Sequence, residues 1–275
     1  MVTSVDTVSV WAPQLKRGAD VSRPADLDGT WGWAPALEGF WRDVFSVARP
    51  GARVLQIGGG AGEVAVWAAE AGRDLKVKAG VRAEAMGPKS GAYDMVISNF
   101  AIEYADRDVA VGELERVMAP GGCTVMALHS ADSVITESNR RTLQTHAWLT
   151  EAATLRADHL SRRKLIKDVL KLRHEFPATG PGHPEAAWFD IAERLLRNEP
   201  GARQALAEAD EALSARLQMC RDQVRVALDK TGLARMESRM MSRGLGVFTS
   251  ELTGVGEAGA AQKVAWIASV TKGAP

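Results

Sequence analysis

Two hydrophobic periods alternate along the first half of the chain. Leu37, Phe40, Trp41, Phe45 and Val47 recur at helical intervals over residues 35–47, and Pro50-Gly51 closes that segment. Val54-Leu55-Gln56-Ile57 is a short β-branched and leucine run that breaks into the glycine cluster 58–62. It restarts as an alanine-rich amphipathic stretch ending at Gly72, so strand, tight turn and helix are predicted in that order. Leu75 to Val81 and Tyr93 to Phe100 read as further strands. Residues 106–118 carry Val109, Val111, Leu114 and Val117 on one side of a predicted helix, Pro120-Gly121-Gly122 stops it, and Cys123 to Leu128 is β-rich. Strands alternating with helices predict an α/β fold with a parallel sheet.

The pattern then changes. About 100 residues are helical in period, with Leu165, Ile166, Val169, Leu172 and Phe176 on one stripe. Leu206, Ala209, Leu213, Leu217, Cys220, Val224 and Ala227 form a longer one, and Pro177 to Pro184 and Glu199-Pro200-Gly201 are linkers. Ala234 to Met241 is predicted as a strand, Gly244 to Gly259 as a glycine-rich connection, and Val264 to Thr271 as a final strand. Residues 1–34 lack periodicity but hold Trp11, Trp31 and Trp33, as expected of a cap segment anchored on the core. The expected organisation is a cap at 1–34, an α/β core at 35–131 and 233–275, and a helical insertion at 132–232.

Composition narrows the function classes. The 275 residues are 46% hydrophobic, and 34 basic against 34 acidic residues leave no net charge, which argues against a nucleic-acid partner. Cys123 and Cys220 stand far apart without metal-ligand spacing, as suits a reducing compartment. No apolar run approaches a bilayer-spanning length, and residues 1–10 have no signal-peptide pattern. A cytoplasmic protein with no membrane partner is expected.

The turn at 58–62 lies at a strand's carboxyl end and a helix's amino end, where free N–H groups and the helix dipole face the ligand crevice of an open α/β sheet. A dinucleotide fingerprint requires Gly-x-Gly-x-x-Gly, but Glu63 occupies the third glycine place, and no Tyr-x-x-x-Lys pair is present, so a nicotinamide dinucleotide ranks low. Val54 to Gly62 instead resembles the first motif of class I S-adenosylmethionine-dependent methyltransferases, V-L-D-I-G-x-G-x-G. Tyr93 to Asn99 with Ile102-Glu103-Tyr104-Ala105 resembles that family's fourth strand and following turn. Leu114 to Gly122 resembles its L-x-R-V-L-x-P-G-G segment.

The resemblance implies a Rossmann-like class I methyltransferase sheet, one βα unit short, because only one strand fits between Gly72 and Tyr93, with a helical insertion between the fifth and sixth strands. It implies S-adenosylmethionine as cofactor and a small-molecule acceptor, since Ser98-Asn99-Phe100 stands where amino-methylating DNA enzymes carry Asn-Pro-Pro-Tyr. The cofactor residues it implies are Gln56, Gly58, Gly59, Gly60, Gly62, Arg82, Ala83, Glu84, Ser98 and Asn99. Two of these depart from the family: Gln56 replaces the first-motif acid. Arg82 falls at the ribose-binding carboxylate whether residues 78–82 are aligned with strand two or 81–86 with strand three. Glu84 is the nearest carboxylate to take over.

No catalytic residue is assigned. Glu103, Tyr104 and His129 are candidates at the sheet's carboxyl edge, and His129-Ser130-Ala131-Asp132 suggests a base with an orienting carboxylate. His146, His159, His174 and His183 show no metal spacing. Three readings stay open: a small-molecule methyltransferase, a methyltransferase-like protein that has lost its cofactor and serves as a partner subunit, and a cofactor-binding protein with another chemistry. The helical insertion offers two functional roles, a lid or the surface of a homodimer.

Overall fold

A computed structural model describes residues 34–58, 62–71, 76–87, 89–154, 189–191, 193–195, 197–255 and 259–273. Residues 1–33 of the expected cap segment 1–34, the stripe 165–176 and the linker 177–184 lie outside them. The described elements are α1 (Ala34–Ser46), β1 (Arg53–Ile57), α2 (Glu63–Glu70), β2 (Lys76–Val81), β3 (Tyr93–Asn99), a 3-10 turn (Ile102–Tyr104), α3 (Arg107–Val117), β4 (Met118–Leu128), α4 (Val134–Thr154), α5 (Ala202–Val226), α6 (Lys230–Met241), β5 (Leu245–Val255) and β6 (Ala261–Lys272). Contacts divide the chain into two compact units, one containing residues 31–137 and 226–275, the other containing 138–225.

The first unit holds one mixed six-stranded sheet in the order β2-β1-β3-β4-β6-β5. β2, β1, β3 and β4 run parallel, and β6 is antiparallel to both β4 and β5. The chain moves from β1 outward to β2 and then returns to β3 on β1's other side. The β1/β3 junction is therefore the topological switch point, whose carboxyl side is where such sheets form their crevice. Among the described residues between Val81 and Tyr93 there is no helix, only a turn bridged by Arg82 and Ala85.

Side-chain alternation along the strands builds a core on each face. Leu55, Ile57, Val96, Met126 and Leu128 meet Ala110, Val111, Leu114 and Val117 of α3 and Leu233, Met236 and Met240 of α6. On the other face Val54, Met95, Ile97 and Ala127 meet Leu37, Trp41 and Phe45 of α1 and Val64 and Ala68 of α2. Leu37, Trp41 and Phe45 are spaced by four and form one stripe, and the Trp41 and Phe45 rings stack at 5.9 Å. α3 starts at Asp106, whose side chain accepts hydrogen bonds from the Asp108 and Val109 N–H groups, and it turns Val109 outward rather than onto the core stripe.

Two expectations for the chain's end are overturned. Residues 234–241 are not a strand but most of α6: Leu233, Met236 and Met240 recur at three and four, and the Asp229 carboxylate caps the helix through the Gly232 N–H. The span 244–259 is not a connection, because Leu245–Val255 is a full strand. Val247, Thr249 and Phe248 favour pleated backbone over the turn that Gly246 and Gly254 suggest, and at Gly246 an added Cβ would lie 2.7 Å from Thr271 Oγ1. The terminal hairpin is thus β5–β6. Helix α3 ends at Val117 and β4 begins at Met118, so Pro120-Gly121-Gly122 lies inside an irregular stretch of strand, not between the two elements.

In the second unit α4 and α5 meet through polar contacts. The Asn139 amide donates to Gln223 Oε1, and the Cys220 thiol lies 3.4 Å from Asn139 Oδ1. Leu206, Ala209, Leu217 and Cys220 of the predicted stripe are buried, whereas Val224 is half-buried and Ala227 falls beyond the end of α5.

Candidate functional site at the carboxyl edge of the sheet

β1 delivers Gln56 and Gly58 to the switch point. Gln56 shares a face with Val54, is 3% exposed, and its Oε1 has no hydrogen-bond donor among the described residues. A buried amide oxygen without a donor costs about 1–3 kcal/mol, so its presence requires a reason. Gly58 has φ +64° and donates its N–H to Val81 O at 3.0 Å; a Cβ there would meet Ala101 Cβ at 2.7 Å. Both conditions demand glycine. Gly59 and Gly60 lie outside the described residues. Gly62, at φ +97°, opens α2 with Glu63 in its first turn, and the space where a Cβ would stand is empty.

At the end of β2 the two candidate charges separate. The Arg82 side chain is 72% exposed, and its Nε stands 3.9 Å from Glu84 Oε2. Glu84 Oε1 accepts the Asp106 N–H at 3.3 Å, which fixes the carboxylate against the start of α3. Ala83 between them points into the core, together with Met86. The tight turn therefore holds a carboxylate at the strand end, two residues later than Arg82.

β3 ends in residues committed to the scaffold. Ser98 Oγ is fully buried and accepts the Ile102 N–H at 3.0 Å, shaping the turn that follows. Asn99 Oδ1 accepts the Trp41 indole N–H at 2.9 Å. Phe100 adopts φ +51°, a left-handed conformation uncommon for a bulky residue, with its N–H bound to Ala127 O at 2.9 Å. That twist lays the Phe100 ring on the His129 imidazole, with centroids 4.4 Å apart and planes 15° from parallel.

A second polar group lies between the 3-10 turn and the end of β4. Glu103 is 2% exposed; its Oε1 accepts the His129 backbone N–H at 2.9 Å, while Oε2 has no partner among the described residues. Burial pushes its carboxyl up to about 7, against the opposing pull of that N–H and of Arg107. His129 is equally buried, and loss of hydration holds it neutral, down to about 3. Its Nε2 is 3.3 Å from Tyr104 Oη, and Nδ1 has no partner among the described residues. A neutral imidazole carries one donor and one acceptor nitrogen. Gln56 Oε1, Glu103 Oε2 and His129 Nδ1 are the buried, unpartnered side-chain polar atoms of the described residues, and all three belong to residues at or near the carboxyl ends of β1, β3 and β4.

The suggested pairing of His129 with Asp132 is not formed. Asp132 accepts from Ser130 Oγ and binds Lys263 Nζ at 2.9 Å, and these contacts hold its carboxyl below the usual range. Lys263 also binds Glu251 at 3.0 Å and lies 3.1 Å above the Trp266 ring. Trp41, Phe100 and Lys263 entered no sequence-based site. Trp41 was visible only as part of a core stripe, and no one-dimensional signal marks the backbone twist at Phe100.

No family model matches this chain, and no curated protein matches it. Many solved structures of S-adenosylmethionine-dependent methyltransferases do match it. A protein described as a "possible histamine N-methyltransferase" from Thermotoga maritima is 11% identical, with 96% of this chain and 99% of that one covered at a TM-score of 0.41. A methyltransferase from Aquifex aeolicus is 10% identical, with 94% and 97% covered at 0.44. The 1,6-didemethyltoxoflavin-N1-methyltransferase of Burkholderia thailandensis is 14% identical, with 45% and 63% covered at 0.33. The chain is a mixed α/β protein with one six-stranded sheet, and its likeness to these structures stands at low sequence identity.

Proposed function

We propose that this chain is an S-adenosylmethionine-dependent methyltransferase acting on a small-molecule acceptor, with the cofactor held where β1 and β3 diverge. One observation carries the reading: among the described residues Gln56 Oε1 is buried without a donor, beside the glycine turn. A ligand ammonium is the kind of group that would satisfy it, and a neutral amide accepts that bond without the full attraction of a carboxylate. In the same reading Gly58 and Gly62 let the ligand approach the main chain, and the fixed Glu84 carboxylate accepts the ribose hydroxyls in place of Arg82. The sheet is read as a class I sheet one βα unit short, with residues 132–232 inserted between the strands that count as fifth and sixth in that family, here β4 and β5.

When bound, the cofactor supplies an electrophilic methyl group. The chain's own residues align the acceptor and exclude water. His129, neutral and stacked on Phe100, offers a hydrogen bond to an acceptor that is already nucleophilic; held neutral to about pH 3, it is too weak a base to ionise one that is not. Tyr104 Oη orients that imidazole.

A second reading has its own observation. Arg82 stands at the end of β2 where a carboxylate is expected, which favours a methyltransferase-like partner protein without cofactor. Calorimetric titration with S-adenosylhomocysteine separates the two. Micromolar binding supports the enzyme; no heat at millimolar ligand removes it and leaves the partner protein. If Arg82→Asp then creates binding that the parent lacks, Arg82 is the block.

A further inference from the structure

β5 forms one edge of the sheet, with β6 beside it and no described strand on its outer side. An edge strand presents a row of open N–H and C=O groups, and proteins usually protect such edges with lysine, proline, short length or a covering element. β5 has eleven residues, no lysine, no proline and one charged side chain, Glu251, already bound to Lys263 at 3.0 Å. Phe248 is 69% exposed and Val255 68% exposed. The register with β6 shifts only between Leu252 and Thr253, so Leu245–Leu252 is an unbroken ladder on the inner side.

The strand is also complementary to its own reverse. Two copies run antiparallel about Ser250 set Phe248 against Leu252, Val247 against Thr253, Gly246 against Gly254 and Leu245 against Val255. Opposed residues in such a pair share a face, and each of these pairs does, because their numbers have the same parity. Glu251 meets Thr249 instead of its own twin, so no like charges stand opposite each other. Shifting the two-fold axis by one residue toward the carboxyl end would oppose the two Glu251 side chains directly. The pattern thus suits a second copy of this strand and disfavours the register one step toward the carboxyl end.

We propose that two copies of this chain associate through β5, joining their sheets into one ladder with its two-fold axis at Ser250. The contact is isologous, and each Phe248 covers the Leu252 of the other copy. It uses residues other than those of α4 and α5 and is independent of whether a cofactor binds.

Sedimentation velocity of the full chain at micromolar concentration should show a dimer. Ser250→Lys places two ammonium groups opposite each other on the axis and should weaken the dimer at least about tenfold, with thermal unfolding of the monomer unchanged. Ser250→Cys should form a disulfide-linked dimer on mild oxidation, because directly opposed residues in an antiparallel pair lie about 4.5–5.5 Å apart at Cα, within disulfide reach. Thr253→Cys, which this register sets opposite Val247, should not. A monomeric parent would overturn the proposal. So would a dimer that tolerates Ser250→Lys, or one that cross-links equally well at positions 250 and 253.

Discussion

The buried Glu103 carboxyl gives a prediction with a definite sign. Its pKa is raised from 4.5 to about 7 on folding, so the folded state keeps a proton that the unfolded chain releases. Its contribution to stability is therefore fully present below pH 4.5 and is lost as the pH rises through 7. At 1.36 kcal/mol for each tenfold change, the loss amounts to about 3 kcal/mol. His129 acts in the opposite sense: its pKa falls from 6.5 to about 3, so its contribution is present above pH 6.5 and lost as the pH falls toward 3. The two slopes cancel between about pH 4.5 and 6.5, where these two groups leave the parent's stability flat. Glu103→Gln imitates the protonated acid, since its carbonyl still accepts the His129 N–H. The variant should match the parent near pH 4.5 and exceed it by about 3 kcal/mol at pH 8. Urea unfolding followed by tryptophan fluorescence measures both. A stability difference that stays constant from pH 4.5 to 8 would refute the assignment of a protonated Glu103.

Three further outcomes follow from the same geometry. Gly58→Ala should cost about 1–3 kcal/mol, because it adds both a positive-φ penalty and a Cβ 2.7 Å from Ala101; the double variant with Ala101→Gly should recover the steric share alone, read by a thermodynamic cycle. Trp41→Phe should destabilise by about 1–3 kcal/mol, since it removes the donor to Asn99 Oδ1 and leaves a gap in a fully buried site; equal denaturation midpoints for variant and parent would contradict this. If the imidazole binds the acceptor rather than only filling the fold, His129→Gln should raise the acceptor's KM with little change in cofactor affinity; weakened cofactor binding would instead place His129 in the scaffold.

The core was legible where hydrophobic period and punctuation agreed. Leu37, Trp41 and Phe45 repeat at four, Val54 to Ile57 is short and apolar, and both lie where the sequence places them. Misreadings arose where two local signals competed. In 234–241 the methionines suit either helix or strand, and tertiary packing against α3 and β5 chose the helix. In 245–255 two glycines suggested a loop, but pairing with β6 and the close approach of Thr271 to Gly246 decide for a strand. The candidate site was legible in part. The glycine turn announces itself through Gly58, whereas Ser98 and Asn99 carry the family pattern yet spend their hydrogen bonds on Ile102 and Trp41. The Glu84 position depends on a turn closed by Arg82 and Ala85, a long-range consequence of packing Ala83 and Met86 that residue spacing does not encode.

The central claim is that a nucleoside ligand sits at the carboxyl ends of β1, β2 and β3, using Gln56, Gly58 and Glu84. Its most direct test is the amide spectrum of isotopically labelled protein during titration with S-adenosylhomocysteine. The account predicts saturable shifts at Gly58, Gly62, Glu84 and Asn99, with α6 and β5 unchanged, and loss of those shifts in Gln56→Leu. A spectrum unchanged at millimolar ligand, or shifts confined to other elements, would contradict it.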